Sequence, residues 1–441
     1  MAKRSQPVLH RLSLAESMTV LVIVGGPLIA KGIMVRRPLV VRLLQSTGLE
    51  GGAVALLQRL RRRYGPGPVM LRLPGREQAV LLSPDDVRRV LAETPEPFET
   101  DSDEKHATLA HFEPEGSLIS RGRDRVARRA LNDQALESGC PIHSMAPHFR
   151  EIIDQEIAAL LSGPDDLSWG RFKDSWFRIV RRCLFGDAAA DDRDLVAMLI
   201  RLRSAGNWSF LHPKRRVLRA RFLSHVAAYL HAAPPGTLGA GLARRATTRS
   251  AAESQVGQWL FAFDAAGIAT FRALALIVAD AGITARARND TAPGYPFLRA
   301  CLLESVRLWP TTPAILRQSA RPAAWNGSTM AEGTGILIHV PFLHRDDERL
   351  PFSHRFAPDV WLRGEADAWP LIPFSGGPGE CPAKNLVLLL ASNLMAALLT
   401  RNICLPPGGK LDINDLPETF DHFSLTLRHQ AQSPLVAQRC S

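Results

Sequence analysis

The sequence predicts a mainly α fold with a small β-rich subregion. Three observations carry that expectation. Apolar residues recur at helical spacing through most of the chain, the segment Trp259 to Leu274 forms one long and largely apolar helical pattern, and strand-like runs are short and few.

In chain order, Val69-Met70-Leu71-Arg72-Leu73, Pro74-Gly75-Arg76 and Ala79-Val80-Leu81-Leu82 read as a β-hairpin leading into a helix from Pro84-Asp85-Asp86. Ile152, Ile153, Ile157, Leu160 and Leu161 fall at helical spacing, as do Leu195, Met198, Leu199 and Leu202. A further helix is expected over Arg215 to Ala232. Pro234 to Ser250 is rich in Gly, Pro, Thr and Ala and reads as a mobile connection. Late strands are expected at Gly335 to Val340 and Phe423 to Leu427, and no internal repeat or long low-complexity tract is present.

Near the start, the apolar run Met18 to Ala30 is broken by Gly25, Gly26 and Pro27 and ended by Lys31. A spanning helix needs about 20 apolar residues, so the run reads as too short to cross a bilayer. It does not resemble a signal peptide, because a polar stretch precedes it and no small-x-small site follows. Residues 1–45 are therefore read as an N-terminal extension packing on the domain, with peripheral contact to a membrane surface aided by Arg36, Arg37 and Arg42.

The 441 residues, 46% hydrophobic, can bury a large core. A prior of about 150 residues per domain would allow three domains, but the motifs below favour one catalytic domain over 46–441. Six scattered cysteines, at 140, 183, 301, 381, 404 and 440, form neither a disulfide framework nor a zinc spacing, which points to a reducing cytoplasm. The net charge of +11 comes from clusters at Arg59 to Arg63, Arg121 to Arg129 and Lys214 to Arg221. No zinc-finger spacing or aromatic RNA-binding stretch accompanies them, so no nucleic-acid partner is expected. They read as solvated surface, with an acidic protein or anionic lipid as the functional alternative.

The most informative stretch is Pro373-Phe374-Ser375-Gly376-Gly377-Pro378-Gly379-Glu380-Cys381-Pro382-Ala383-Lys384-Asn385, which runs into Leu386-Val387-Leu388-Leu389-Leu390. The glycines allow positive φ and close backbone approach, the prolines stiffen the loop, and the apolar run reads as a buried helix. Cys381 then lies at a helix start. A thiol of pKa about 8.5 is lowered by several units beside a helix N-terminus or a metal. These residues alone fit either a metal-ligating thiolate or a buried structural cysteine.

Upstream, Glu304-Ser305-Val306-Arg307 places a carboxylate and a guanidinium on one helix face, and Pro310 marks the helix end. In the long apolar helix, Ala266-Gly267 makes a notch nearly free of side chain, one turn before Thr270. A notch admits a planar cofactor or a diatomic ligand close to the backbone. Thr270 can instead be a core threonine bonding back to a helix carbonyl. Arg125 and Arg129 project from one helix face as an i, i+4 pair suited to carboxylates, and Arg317 follows the ExxR segment.

Taken together, these motifs resemble those of the cytochrome P-450 superfamily, of bacterial type, over roughly Leu71 to Leu427. Phe374, Gly377 and Cys381 match its cysteine signature FxxGxRxCxG, while Gly379 replaces the usual Arg or His and Ala383 the usual Gly. Glu304 and Arg307 match its ExxR pair, and Leu343 to Trp361 resembles its meander. There the usual Arg of PER(F/W) is Val360, leaving Arg355 or His354 as substitutes. Ala266, Gly267 and Thr270 match (A/G)Gx(D/E)T, with Ala269 in place of the acid.

The resemblance implies a cytochrome P-450 fold binding heme b (iron protoporphyrin IX), with Cys381 as axial ligand and Phe374 and Gly377 in its loop. It places the propionates on Arg125, Arg129 and Arg317, and assigns Thr270 and Gly267 to oxygen activation and proton delivery. It further implies a cytoplasmic haem-thiolate monooxygenase acting on a small hydrophobic substrate, with electrons from a separate ferredoxin or flavoprotein reductase. Loss of the acid at Ala269 keeps two alternatives: peroxide-driven oxidation, coupling or rearrangement on the same fold, and a non-catalytic haem-binding protein.

Overall fold

The computed structural model describes residues 9–325, 327–367 and 371–429; Cys440 lies outside the described residues. The main core surrounds the 30-residue helix Arg249–Val278, capped by Thr248, whose hydroxyl accepts from the Ala251 N–H. Its middle is apolar on nearly every face because neighbours cover it on nearly every side. Helices Trp169–Phe185, Pro296–Leu308 and Lys384–Leu399 pack along it, and Arg216–Ala232 crosses its first half.

A six-stranded sheet builds the β subregion. Its order is His10–Arg11, Val69–Leu73, Arg76–Val80, Gly335–His339, Ala314–Ser319 and Phe98–Glu99. The hairpin pairs Val69 with Val80 and Leu73 with Arg76, so the turn is Pro74-Gly75 alone and the second strand is Arg76–Val80 rather than Ala79 to Leu82. The sheet carries a second core that includes Val69, Leu82, Phe98, Trp325 and Ile336. Strand Ala314–Ser319 brings Arg317 toward the cysteine loop.

Several expectations need correction. Pro234 to Ser250 is not a loose connection: Leu238–Arg245 is a helix capped by Thr237, with Leu238 and Leu242 fully buried. Its two apolar side chains one turn apart outweigh the surrounding Gly and Pro. The last strand is Thr426–His429, shifted toward the C-terminus because it pairs with Asp166–Ser168 and Ile403–Cys404.

The N-terminal run is also longer than its sequence breaks suggest. A single helix spans Leu14–Lys31, passing Leu21–Gly25 as a π turn, and it is long and apolar enough to cross a membrane by length and composition. Gly25 and Gly26 adopt helical backbone angles, and Pro27 sits near the start of the final segment, where the π turn leaves its missing N–H without cost. The extension is tied into the rest of the chain: His10 pairs with Val69, Arg203 donates to the Met34 carbonyl, and Asn207 bonds the backbone of Met34 and Val35.

Candidate functional site

The cysteine loop is held from three directions. The Cys381 N–H donates to the Phe374 carbonyl at 2.9 Å, closing the loop into a tight return. Gly377 adopts φ +59°, and any Cβ there would collide with the Leu91 carbonyl, so the loop rests directly on the Pro84–Ala92 helix. His344 accepts from the Ile372 N–H at 2.8 Å, and its other ring nitrogen lies 3.3 Å from the Arg307 carbonyl. The first contact makes Nε2 an acceptor, which assigns the proton to Nδ1.

Cys381 is half-buried at the start of helix Lys384–Leu399. Burial pushes its thiol above the ordinary value, while the Ala383 N–H and the charges of Arg129 and Lys384 pull it down. The other four described cysteines are also unpaired; burial raises Cys183 and Cys301 well away from thiolate character.

The arginines inferred from the sequence converge on this loop. Arg125 donates to the Pro378 carbonyl at 3.3 Å, Arg129 to the Glu380 carbonyl at 2.6 Å, and Arg317 to the Ser375 hydroxyl at 3.3 Å. Lys105 joins them, its ammonium between the Thr100 and Leu316 carbonyls at 2.6 and 3.0 Å. No local motif marks Lys105 as a neighbour of Arg317, because its helix and the Arg317 strand meet only in the fold.

Lys105, Arg125 and Arg317 share a property that tests the cofactor. None of the three makes an ion pair among the described residues. Burial lowers Arg317 to about 10, with repulsion from Arg125 added; burial and then Arg317 hold Lys105 well below its ordinary value. Two buried guanidinium groups and a half-buried ammonium, with no ion pair among the described residues, fit a group carrying two carboxylates. The residues present therefore fit a haem, with propionates as the missing counter-charge.

The ExxR pair is closed and dry. Glu304 and Arg307 form a two-pronged bond at 2.6 and 2.8 Å, both fully buried. Arg307 also donates to the carbonyls of His344, Ser353, Phe352 and Arg355. Neither side chain expected as third member takes that place: Arg355 contributes its carbonyl, and His354 accepts from Arg345 at 2.8 Å. Glu304 instead receives the Trp361 indole N–H and the Ala357 N–H, each at 2.8 Å. One carboxylate and one guanidinium balance, and neutral donors fill the remaining lone pairs.

On the long helix, the Thr270 hydroxyl donates to the Ala266 carbonyl at 2.7 Å, fully buried. Gly267 does not leave an open notch. A Cβ there would stand 2.7 Å from Trp176 Cδ1, so the indole fills the space and donates to the Phe263 carbonyl. Packing against this indole alone requires a residue without Cβ at 267. At Ala269, where the acid is missing, the Ser305 hydroxyl donates to the backbone carbonyl at 2.8 Å. Ser305 belongs to the Glu304-Arg307 motif, and nothing in that motif pointed to this bond.

A cavity of about 240 Å³ lies against a different face of this helix, that of Phe261, Asp264, Ala265, Ile268 and Arg272. The Leu14–Lys31 helix, the end of Pro296–Leu308 and residues 418–423 enclose it. Of the basic clusters, Arg59 to Arg63 is largely neutralised: Arg61 pairs with Asp346 and Glu348, Arg62 with Glu348, and Arg63 with Glu16.

Comparison with known proteins completes the picture. A family model described as Cytochrome P-450 matches residues 284–418. Cyclooctat-9-en-7-ol 5-monooxygenase of Streptomyces melanosporofaciens is 30% identical over 115 residues, covering 25% of this chain and 25% of that protein. The mitochondrial 1,25-dihydroxyvitamin D(3) 24-hydroxylase of Rattus norvegicus is 31% identical over 104 residues, covering 23% and 20%. The chain thus matches about a quarter of the length of these curated relatives. Two solved structures superpose far more widely, each with a TM-score of 0.68. Retinoic acid bound cyanobacterial CYP120A1 is 18% identical over 85% of this chain and 93% of its own, and CYP175A1 from Thermus is 20% identical over 96% and 100%.

Proposed function

We propose, from the premise that this chain belongs to the cytochrome P-450 superfamily, that it is a haem-thiolate monooxygenase inserting one oxygen atom from dioxygen into a small hydrophobic substrate. The observation that carries the reading is the cluster of Lys105, Arg125 and Arg317 beside the Cys381 loop, three basic groups without an ion-pair partner among the described residues and suited to two propionates. When bound, a haem with a thiolate ligand supplies the electron-rich centre that favours O–O cleavage.

The chain's own part is holding and protonation. Cys381 would hold the haem iron as a thiolate, a form that the Ala383 N–H and the charge of Arg129 favour against the burial that opposes it. Arg129 also fixes the loop through the Glu380 carbonyl. The Thr270 proton is committed to Ala266, so its oxygen is set to accept from a donor, either water or a substrate hydroxyl, and to order proton transfer in the absence of an acid at 269.

Electrons would come from a separate ferredoxin or flavoprotein reductase. The five unpaired described cysteines support a reducing cytoplasmic setting. Peripheral membrane contact is supported by exposed Met18, Val22, Ile29, Leu39 and Leu43, and by exposed Phe210, Leu211 and Val217 beside the exposed cations Lys214 and Arg215 in sequence.

The test is the spectrum of the reduced protein under carbon monoxide. A red-shifted thiolate band in the wild type that vanishes in Cys381→Ser supports the reading; no haem uptake by the wild type defeats it. A second reading, peroxide-driven oxidation, is favoured by Ala269, whose place in the relay carries no titratable group. Turnover with hydrogen peroxide alone, and none with reductant and surrogate redox proteins, would select it.

A further inference from the structure

We infer that the cavity between the N-terminal helix and the Arg249–Val278 helix is a binding site for an organic carboxylate joined to an apolar body. Its charged lining is unbalanced: Lys31, Arg36, Lys173, Arg203, Arg272 and Arg345 face Glu50, Asp264 and Glu418. Two pairs are already made, Lys31 with Glu50 and Arg203 with Asp264.

Among the described residues, Arg36, Arg272 and Arg345 have no carboxylate partner. Arg36 donates to the Gly32 and Thr311 carbonyls. Arg272 donates to the Trp309 and Phe420 carbonyls at 3.3 and 2.9 Å and to His422 Nδ1 at 3.2 Å. Arg345 donates to the Pro417 and Leu416 carbonyls and to His354. Arg36 and Arg272 lie close enough to oppose each other's charge, and both oppose Lys31.

An independent observation points the same way. Arg203 Nε, Arg272 Nε, Arg345 Nε and His422 Nε2 are buried without a hydrogen-bond partner, and all four residues line this cavity. A guanidinium can only donate, so His422 Nδ1 is the acceptor from Arg272 and its Nε2 carries the proton. All four atoms are therefore unused donors. These donors are closed off from the cavity space, so they add to the positive field of its wall rather than touching a ligand; an anion offsets that field, whereas an alcohol does not and an amine would add to the repulsion.

The remaining wall is apolar, including Val24, Val54, Trp169, Phe261, Ile268 and Trp309. At ~30 Å³ per water-sized volume, the cavity holds about eight such volumes, room for a medium-chain acid. That the acid is also the molecule oxidised rests on the haem-thiolate reading; its binding does not.

The experiment titrates the full chain with octanoate, 1-octanol and octylamine, followed by calorimetry and by the fluorescence of the wall tryptophans. Octanoate is expected to bind one to one, at least 10-fold tighter than octanol, with octylamine not bound. Arg272→Gln and Arg36→Gln should each weaken octanoate about 10-fold, equivalent to about 1.4 kcal/mol, and leave octanol unchanged. Equal affinity for acid and alcohol, no binding of any probe, or octanoate binding untouched by both substitutions would overturn the inference. If Arg272→Gln does not fold, Arg36→Gln, at a half-buried position, decides alone. The carbon monoxide spectrum reads the haem assignment separately, so either can fail without the other.

Discussion

Arg317 stands where a side chain at residue 379 would project: a Cβ added to Gly379 would lie 2.6 Å from Arg317 Nη2. The loop lacks the basic residue usual at this place, and a guanidinium from the sheet arrives there instead. One guanidinium thus takes the space that a side chain at 379 would need, and the loop itself carries no charge there.

That exchange is testable. Gly379→Arg alone places two guanidinium groups in one space and should displace Arg317 from Ser375, speeding haem loss about 10-fold. Combining it with Arg317→Gly should return haem retention toward the wild type. Additive losses in the double variant, measured by haem transfer to apomyoglobin, would refute the substitution of one arginine for the other.

Trp361 completes the Glu304-Arg307 network through a charged hydrogen bond. Trp361→Phe should cost about 1–3 kcal/mol in urea unfolding, because a buried carboxylate loses a donor. Glu304→Ala should cost about 3–5 kcal/mol, since it strands the buried Arg307 charge. A cost for Trp361→Phe no larger than that of a surface change would show that the indole bond does not contribute.

Gly267→Ala and Thr270→Val separate packing from chemistry on one helix. The first drives a methyl against Trp176 and should cost about 1–3 kcal/mol, with partial recovery in Gly267→Ala/Trp176→Phe. The second removes a local hydroxyl bond at nearly constant volume and should change stability by about 1 kcal/mol or less. Its expected signature is lower product yield per electron pair with more peroxide released. Unchanged coupling would remove Thr270 from the proton path.

His344 should make the cysteine loop acid-sensitive. Burial, with repulsion from Arg307, holds its pKa down to about 3, against about 6.5 in an unfolded chain. Between those values the unfolded chain binds a proton that the folded chain refuses, so stability rises with pH from about 3 to 6.5 and is lost as pH falls. The structural cause is that a protonated Nε2 would face the Ile372 N–H. Replacing it in His344→Gln should flatten the stability profile in that window by up to one proton, about 1.4 kcal/mol per pH unit. An unchanged slope would exclude His344 as the titrating group.

The sequence was most legible where function rests on local chemistry. Cys381, the glycines before it, the Glu304-Arg307 pair and the order of these motifs along the chain could be read because each depends on neighbours within a few residues. The hairpin at Val69–Val80 and the helix from Pro84 followed from the same short-range rules. The Leu238–Arg245 helix was missed because its stability comes from burying Leu238 and Leu242 against distant elements, which outweighs a composition suited to a loop.

By itself the sequence carried the motifs of the resemblance, the mainly α fold, the thiol offered at a helix start and the basic residues near it. Tertiary structure alone decided which charges meet. Lys105 reached Arg317 and Arg125, Trp361 took the place expected of Arg355 or His354, Trp176 filled the Gly267 notch, and Arg36, Arg272 and Arg345 gathered around one cavity. Their partners lie tens to hundreds of residues away, and the energies that choose among them, burial and Coulomb attraction in a dry interior, depend on distances that spacing along the chain does not encode.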